Sequence, residues 1–418
     1  MALTNVRIAP GFNKADTPSG SEGQWIDGDF VRFRYGQPEK IGGYTAIGQE
    51  TISGPTRAQH TWTDLEGKRY AALGTSKALY IYYEDKFYDI TPLATAITGA
   101  TFSSTQNSNV VTVTKTSHGL DVGEYITFTS VSLPGGGATG FTVANFQDFT
   151  YEILTVPTTS TFTVQMKSNE TGTGMSTAGG ATINPYEEIG PTIQTYGYGW
   201  GTSTWSRLTW GSGSTTSSVV LDPGTWSLDN FGQQLIATVK DGKTFVWNPG
   251  VSNPLDVRAA VMSNAPTATR LTLVSDRDRH LVHFGTETTI GDPNTQDPMF
   301  IRFSDQENYS VYQPTSVNTA GTFRLDTGNK IVAAVSGKDY NLILTDQAAY
   351  TMQFVGPPFT FSIRQVGSNC GCIGQHAVVY SDGRVYWMGS GGGFFVFDGT
   401  VKLLPSLVED FVFTTTGS

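Results

Sequence analysis

The sequence has little cysteine and no long apolar run. Only two cysteines occur among the 418 residues, Cys370 and Cys372, which is too few for a disulfide-stapled extracellular module. No run of about 18 apolar residues indicates a membrane span, and the N-terminus lacks the basic region and apolar stretch of a secretory leader. We therefore expect no membrane-spanning segment and no leader, and the cysteine usage favours assembly in a reducing cytoplasm.

Positive charge is also scarce. Asp and Glu outnumber Lys and Arg by 36 to 26, which leaves a formal net charge of -10. Proteins that bind nucleic acid do so largely through Lys and Arg side chains that neutralise the backbone phosphates. The acidic balance predicts that any DNA this chain meets passes without specific binding.

Helical periodicity is nearly absent as well. No long stretch places apolar residues at the i, i+3, i+4 and i+7 positions between caps, and the longest helix candidate is one or two turns near 403–411. The chain is instead rich in Gly, Thr, Ser and β-branched or aromatic residues, a mixture typical of strands joined by tight turns. We predict an all-β fold.

The strands follow a recurring pattern. Residues 24–36 alternate apolar and polar side chains, as a half-buried strand does, and residues 69–74, 78–83 and 87–90 form three consecutive antiparallel strands, the meander of a propeller blade. Similar strand pairs return, with second strands near 244, 299, 349 and 393, at intervals of roughly 45 to 55 residues. This spacing predicts a β-propeller of about five or six blades, in which each blade buries its faces against its neighbours.

One stretch does not fit the blade pattern. Residues 98–186 carry their own series of alternating strands, typical of a small barrel or sandwich inserted into the propeller. The predicted organisation is an N-terminal strand segment with the first blade over 1–97, an inserted β module over 98–186, and the remaining blades over 187–418.

Residues with possible chemistry are few and scattered. The Cys370-Gly371-Cys372 motif lacks the second ligand pair of a zinc site, so we interpret it as a buried structural pair; a strained disulfide or an intermolecular metal site are the alternatives. His280 and His283 have no third ligand nearby in sequence, which favours strand packing or a turn hydrogen bond. The charge run at 276–279 is typical of a solvated loop, with pairing at a subunit interface as the alternative.

Catalytic motifs are missing from the sequence. It contains no nucleophile elbow, no zinc-protease helix motif and no repeated sialidase-type turn. The adjacent carboxylates Glu187 and Glu188 cannot be placed across a sugar by spacing alone. We predict that the chain is not an enzyme and has no catalytic, cofactor-binding or metal-binding residue and no cofactor.

Several short motifs, in their order along the chain, resemble a known family. Residues 25–33 and 38–44 look like the opening of the tail-hub and DNA-stabilisation propellers of short-tailed bacteriophages, residues 226–235 resemble a central blade of that family, and residues 369–374, 386–399 and 404–405 resemble its late blades. Residues 98–186 resemble a β module that recurs as an insert in phage tail proteins. The motif residues are Trp25, Asp27, Gly28, Phe33, Gly43, Trp226, Gly232, Cys370, Cys372, Trp387, Asp398 and Gly399.

The resemblance implies a structural virion protein of the tail hub or nozzle. Such a protein forms a homohexameric tube below the portal and adaptor proteins, acts as conduit and plug for genome exit, and holds tail fibres or spikes. An acidic lumen would let DNA pass by repulsion. Similar proteins usually continue with further strands beyond residues 411–413, so we expect either that residues 1–50 donate a strand or that a partner chain completes the blades.

Two other functions remain open at the level of sequence. Aromatic residues beside Gly and Thr could stack on sugars, which would make the chain a carbohydrate-binding, receptor-recognition propeller of the tail, although blade cores use the same residue types. These aromatics are Tyr196, Tyr198, Trp200 and Trp205. A propeller glycosidase is the third interpretation, and no motif supports it.

Overall fold

The fold was analysed in a computed structural model. The structure describes residues 8–47, 51–133, 140–147, 149–175, 178–191, 195–196, 220–249, 255 and 257–415. By contacts the chain divides into two compact units. One comprises Glu50–Lys240 and Thr244–Met262, and the other comprises Met1–Gln49, Asp241–Lys243 and Ser263–Ser418.

The N-terminal segment, residues 8–47, belongs to the second of these units and contains two small sheets. Strands β1 (Ala9–Phe12) and β2 (Gln24–Trp25) pair in parallel, and β3 (Val31–Arg34) and β4 (Gln37–Lys40) form an antiparallel hairpin. The predicted strand over 24–36 is therefore wrong in its length. The alternation breaks before β3, where Phe30 adopts a left-handed backbone conformation with a φ of 56°.

The unit that begins at Glu50 contains two blades and a barrel. Blade 1 consists of β5 (Thr56–Thr63), β6 (Arg69–Thr75), β7 (Leu79–Tyr83) and β8 (Lys86–Asp89). The barrel consists of β9 (Ile97–Ser104), β10 (Val110–Thr114), β11 (Tyr125–Ser132), β12 (Thr150–Thr158), β13 (Thr161–Gln165) and β14 (Ala178–Pro185), with helix α1 (Val143–Gln147) before β12. A short pair, β15 (Thr195–Tyr196) and β16 (Val220–Leu221), precedes blade 2, which consists of β17 (Trp226–Phe231), β18 (Gln234–Val239), β19 (Thr244–Trp247) and β20 (Ala260–Val261).

The other unit contains three blades. Blade 3 consists of β21 (Thr269–Ser275), β22 (His280–Thr286), β23 (Phe300–Phe303) and β24 (Gly321–Arg324), with a 3₁₀ turn at Pro293–Thr295. Blade 4 consists of β25 (Ile331–Ser336), β26 (Asn341–Thr345), β27 (Ala348–Gly356) and β28 (Thr360–Ser368), and blade 5 of β29 (Val378–Ser381), β30 (Arg384–Met388), β31 (Phe394–Phe397) and β32 (Val401–Leu404). Helix α2 (Glu409–Thr415) follows.

The predicted fold class is confirmed. The chain is an all-β propeller with five blades, each a four-stranded antiparallel meander, and a closed six-stranded barrel whose strand order is β10-β13-β12-β11-β14-β9. The blade hairpins depend on turns that match strand twist: Glu84 and Asp85 between β7 and β8, and Asp382 and Gly383 between β29 and β30, all have positive φ, as type I′ turns require.

Of the two alternatives for completing the blades, strand donation by residues 1–50 is wrong for the described residues 8–47, completion by a partner chain stays a prediction, and the predicted C-terminal helix lies later in the chain than expected. Every blade takes its four strands from one contiguous stretch, and no strand of the described residues 8–47 pairs with a blade. The predicted helix near 403–411 begins only at Glu409, because Leu403 and Leu404 are residues of β32, the fourth strand of blade 5. Strand β5, which begins blade 1, was not predicted because its inward face has few apolar residues: Ala58 and Trp62 are buried, with the polar His60 between them.

The cores follow the alternation of the strands. In the barrel, Val111 and Val113 of β10 point inward with Phe102, Phe128 and Phe162, all fully buried. Blades 1 and 2 share a separate core around Trp62, Tyr70, Trp226 and Trp247. The barrel therefore has a core of its own, as expected of a module that folds as one β unit.

Candidate functional site

Three residues of the first motif, residues 25–33, pack together in the N-terminal segment. The Phe33 ring meets the Phe12 ring edge-on at 5.3 Å between centroids and lies 6.4 Å from the Trp25 ring. At Gly28 an added Cβ would lie 2.7 Å from the Phe12 ring. Glycine at position 28 is thus required for the close approach of these aromatic rings, and the motif is a small structural cluster.

Asp27 connects this cluster to the end of the chain. Its carboxylate forms an ion pair with Lys14 at 2.9 Å, and this hydrogen bond lowers the pKa of Asp27. The Lys14 backbone N–H donates to the Leu407 carbonyl, and the Lys14 ammonium lies 5.0 Å from the centre of the Phe411 ring. The N-terminal segment is therefore attached to the region after β32. The last residue of this motif set, Gly43, lies in open space, because an added Cβ there would have no atom within 4 Å.

The central motif residues hold blades 1 and 2 together. Trp226 is fully buried, and its indole N–H donates to the Thr75 carbonyl of β6 at 3.0 Å. Gly74 permits this, because an added Cβ there would lie 2.5 Å from the Trp226 ring. Gly232 has a φ of 65° in the turn between β17 and β18.

The late motif residues are structural in blades 4 and 5. Cys370 and Cys372 are buried free thiols, as the interpretation of a buried pair predicts, and burial raises the pKa of Cys372 to about 11. The Trp387 indole N–H donates to the Cys370 carbonyl at 2.8 Å. Asp398 pairs with Lys402 at 2.7 Å, beside the turn at Gly399, whose φ is 110°.

His280 lies in a buried hydrogen-bonded chain in blade 3. Its Nδ1 is 2.6 Å from Asp278 Oδ2 and its Nε2 is 3.0 Å from Thr319 Oγ1. The Thr319 hydroxyl donates to Asp305 at 2.7 Å and accepts from the Gln306 N–H, so Nε2 must donate to Thr319. The ring thus holds the threonine in place and does not activate it as a nucleophile.

His283 is equally buried, and its role as a packed strand histidine is confirmed. Its ring nitrogens lie 3.2 Å from Thr269 Oγ1 and 3.0 Å from the Tyr312 hydroxyl. Burial, together with the nearby Arg302 guanidinium, lowers the pKa of His283 to about 3.

The charge run at 276–279 is not a uniformly solvated loop. Arg277 forms an exposed ion pair with Asp339 at 3.2 Å, and Arg279 pairs with Glu307 at 3.1 Å. Asp278, by contrast, is buried against His280. Sequence pattern could not distinguish this residue from its exposed neighbours. Pairing of the run at a subunit interface stays a prediction.

The candidate binding site is a hollow of about 280 Å³ where the barrel meets blade 1. The hollow is formed by the barrel residues 121–125 that lead into β11, the β6–β7 turn at Ser76 and Lys77, and the chain leaving β14 at 186–190. Three elements far apart in sequence therefore contribute its walls.

A polar network fixes this junction. Asp89, the last residue of β8, accepts two hydrogen bonds from the Arg258 guanidinium at 3.3 Å each. The Tyr186 hydroxyl also donates to Asp89 and lies 2.9 Å from Thr150 Oγ1. Burial and the Asp89 carboxylate raise the pKa of Tyr186 well above its ordinary value, so the phenol stays protonated and the network persists across the physiological pH range.

On the blade side, Lys77 crosses to the barrel. Its ammonium donates to Glu152 at 2.9 Å and lies 5.0 Å from the centre of the Tyr125 ring. The Tyr125 hydroxyl donates to the other oxygen of Glu152 at 3.1 Å. Lys77 is therefore already paired with a carboxylate that is not part of the hollow's lining.

The carboxylates that line the hollow belong to Asp121, Glu124, Glu187 and Glu188. Burial raises the pKa of Glu124, and the negative charges of Asp121 and Glu188 raise it further. The hollow is thus an acidic site. Of these residues only the adjacent Glu187 and Glu188 stand out in the sequence, and the one further local signal is the Asp121-x-x-Glu124 spacing in the loop before β11.

Some predicted features cannot be placed. Of the four aromatics that suggested sugar binding, Tyr198, Trp200 and Trp205 lie outside the described residues, and for Tyr196 only its place in β15 is described. Across the described ranges no group of three or more His, Cys, Asp or Glu side chains could hold a metal ion. In the same ranges, none of the helices has the length and apolar character needed to cross a membrane.

Comparison with known proteins shows only weak structural likeness. No family model and no curated protein matches the chain. Among solved structures, the phage phi92 endosialidase matches at 15% identity and a TM-score of 0.27, over 84% of this chain and 55% of its own, so this chain spans about half of that protein's length. BBS1N in complex with ARL6DN matches at 9% identity and a TM-score of 0.31, over 85% of this chain and 83% of its own. The computationally designed Ika8 protein matches at 11% identity and a TM-score of 0.29, over 86% of this chain and 90% of its own.

These matches correct one prediction. The expectation that the chain is not an enzyme is contradicted, because the endosialidase among the structural matches is an enzyme, and we withdraw that expectation. At a TM-score of 0.27 the match assigns no catalytic residue and no substrate to this chain.

Proposed function

We propose that the chain is a subunit of the tail hub or nozzle of a short-tailed bacteriophage. Six copies form a tube below the portal and adaptor proteins, through which the genome leaves and to which fibres or spikes attach. The subunit assembles in the host cytoplasm and becomes part of the virion tail. Its support is the ordered set of family motifs on a five-bladed propeller with an inserted barrel.

The observation that carries this proposal is the exposed apolar surface of the N-terminal segment. Tyr35 is 92% exposed and Tyr44 is 84% exposed, and Phe30 and Ile47 also lie largely in solvent. Large apolar side chains grouped on one segment mark an interaction surface. A two-stranded hairpin such as β3–β4 is only marginally stable alone, so burial against another subunit stabilises the segment as well.

We assign this surface to contacts between copies of the chain. The base of the segment is held by the chain's own contacts, through the Lys14 and Asp27 ion pair and the Lys14 hydrogen bond to Leu407. Its aromatic residues Tyr35 and Tyr44 stay exposed to solvent. A segment that the chain's own contacts fix in place and that exposes large aromatic side chains offers a contact surface to a neighbouring copy, and the net charge of -10 suits a tube that DNA passes through.

The test is the mass of the assembly, with the purified chain measured alone and with its portal and adaptor by mass photometry and negative-stain microscopy. We expect six-fold rings. The double variant Tyr35→Ser, Tyr44→Ser should remain folded, because both side chains are exposed, and should lose the rings. Leu65→Ser, which alters an equally exposed residue of the β5–β6 turn, should keep them.

Two results would contradict the proposal. A chain that stays monomeric in the presence of the adaptor is not a hub subunit. Rings that survive the double variant would show that the N-terminal segment does not form the contact between subunits.

A further inference from the structure

The hollow between the barrel and blade 1 carries more negative charge than its surroundings balance. Asp121, Glu124 and Glu188 all line it, and none of the three forms an ion pair within the described part of the chain. Among the described lining residues Lys77 is the one cation, and it is bound to Glu152 at 2.9 Å. Like charges held close together cost free energy unless a counter-charge lies between them.

A second observation points to a missing polar partner. Ser76 also lines the hollow and is only 6% exposed, and its hydroxyl oxygen has no hydrogen-bond partner among the described residues. Buried hydroxyl groups in native proteins are nearly always paired. A ligand with N–H groups would supply the donor that this oxygen lacks.

The shape and the apolar walls limit the kind of cation. Beside the carboxylates the lining contains Val122, Ile189 and the rings of Tyr125 and Tyr186. No group of three acidic side chains, among those the structure describes, converges closely enough to hold a metal ion. Spread carboxylates with apolar and aromatic walls match an organic cation, whose methylene groups pack on the walls while its ammonium groups reach the acids.

We propose that this hollow binds an aliphatic ammonium group. The same chemistry is available from a lysine side chain of a partner protein and from a free diamine or polyamine. Glu124 and Glu188 bind the ammonium group, Ser76 accepts a hydrogen bond from it, and Val122 and Ile189 contact the methylene chain. Burial raises the pKa of Glu124, and Asp121 and Glu188 raise it further; a bound cation would oppose the part that these two carboxylates cause.

The proposal is tested by titrating the full chain with putrescine, spermidine and N-acetyl-lysine amide at low salt. Calorimetry reports affinity, and hydrogen exchange reports location. We expect one site, with protection of residues 121–125 and 186–190. The double variant Glu124→Gln, Glu188→Gln should weaken binding at least tenfold. Glu66→Gln, which removes an exposed carboxylate that does not line the hollow, should leave the affinity unchanged.

The probes separate the two sources. Tight binding of the lysine mimic supports a partner's lysine, and binding of putrescine or spermidine alone supports a free amine. The proposal is overturned if no amine binds, if the double variant binds as well as the wild type, or if Ca²⁺ binds and the amines do not. If the double variant fails to fold, the single variant Glu188→Gln at an exposed position gives the same comparison. The ring assembly of the chain does not enter this test, so either proposal can fail without the other.

Discussion

Trp226→Phe should destabilise the unit that contains blades 1 and 2 because it removes a buried hydrogen bond and leaves a void. The indole is fully buried over Gly74 and donates to the Thr75 carbonyl at 3.0 Å. Phenylalanine keeps the aromatic contact with Phe245 but lacks the N–H group and the second ring. Losing the bond at a buried carbonyl costs about 1–3 kcal/mol and the smaller ring about 1 kcal/mol, so we expect a loss of about 2–4 kcal/mol.

The measurement is urea unfolding followed by far-UV circular dichroism, with hydrogen exchange over residues 69–83 to locate the change. Trp25→Phe is the matched control. The Trp25 indole N–H is buried but has no hydrogen-bond partner in the described ranges, so its removal breaks no bond, and we expect a loss under about 1 kcal/mol. An equal loss of unfolding free energy in the two variants would refute the conclusion that the Trp226 hydrogen bond stabilises the contact between blades 1 and 2.

Three further results are expected. Gly74→Ala should destabilise the same unit by about 1–3 kcal/mol, since its Cβ would overlap the Trp226 ring, whereas Gly43→Ala, with no atom within 4 Å, should not change the unfolding midpoint. Cys372, with its pKa raised to about 11, should resist iodoacetamide at pH 8 until the protein is unfolded, and rapid labelling of the native chain in a mass spectrum would contradict the burial. Folding lowers the pKa of His283 from 6.5 to about 3, so between these pH values the unfolded state binds a proton that the folded state does not. The stability that the neutral His283 contributes is therefore fully present above pH 6.5 and is lost as the pH falls from 6.5 to 3. The loss at pH 5 is about 2 kcal/mol, measured as a change in urea midpoint that should be smaller in His283→Gln.

Much of the architecture could be predicted because its signals are local. The meander of β6, β7 and β8 follows from alternation within each strand and from turn residues such as Glu84 and Asp85, which accept positive φ. The late blades repeat the same pattern. Strand β5 and the break before β3 were not predictable in this way. The inward face of β5 has few apolar residues, and the break depends on the conformation of a single residue, Phe30.

The candidate site was much less accessible from sequence. Asp121 and Glu124 stand in an ordinary polar loop, and Glu188 is an unremarkable acidic residue until the barrel closes and brings them to one hollow. The buried state of Asp278 was hidden for the same reason, because its burial depends on His280 and on the strands that cover both. Burial and proximity of this kind depend on residues distant in sequence and leave no local pattern.

The sequence by itself determined that the chain is made of short strands, where most turns lie, and at what interval blades recur, because alternation and turn chemistry act within a few residues. Only the tertiary structure decided that Lys77 contacts Glu152, that Asp89 binds Arg258 and Tyr186, and that four carboxylates line one hollow. Those distances are set by how the sheets close and pack, which brings together groups separated by many residues of chain.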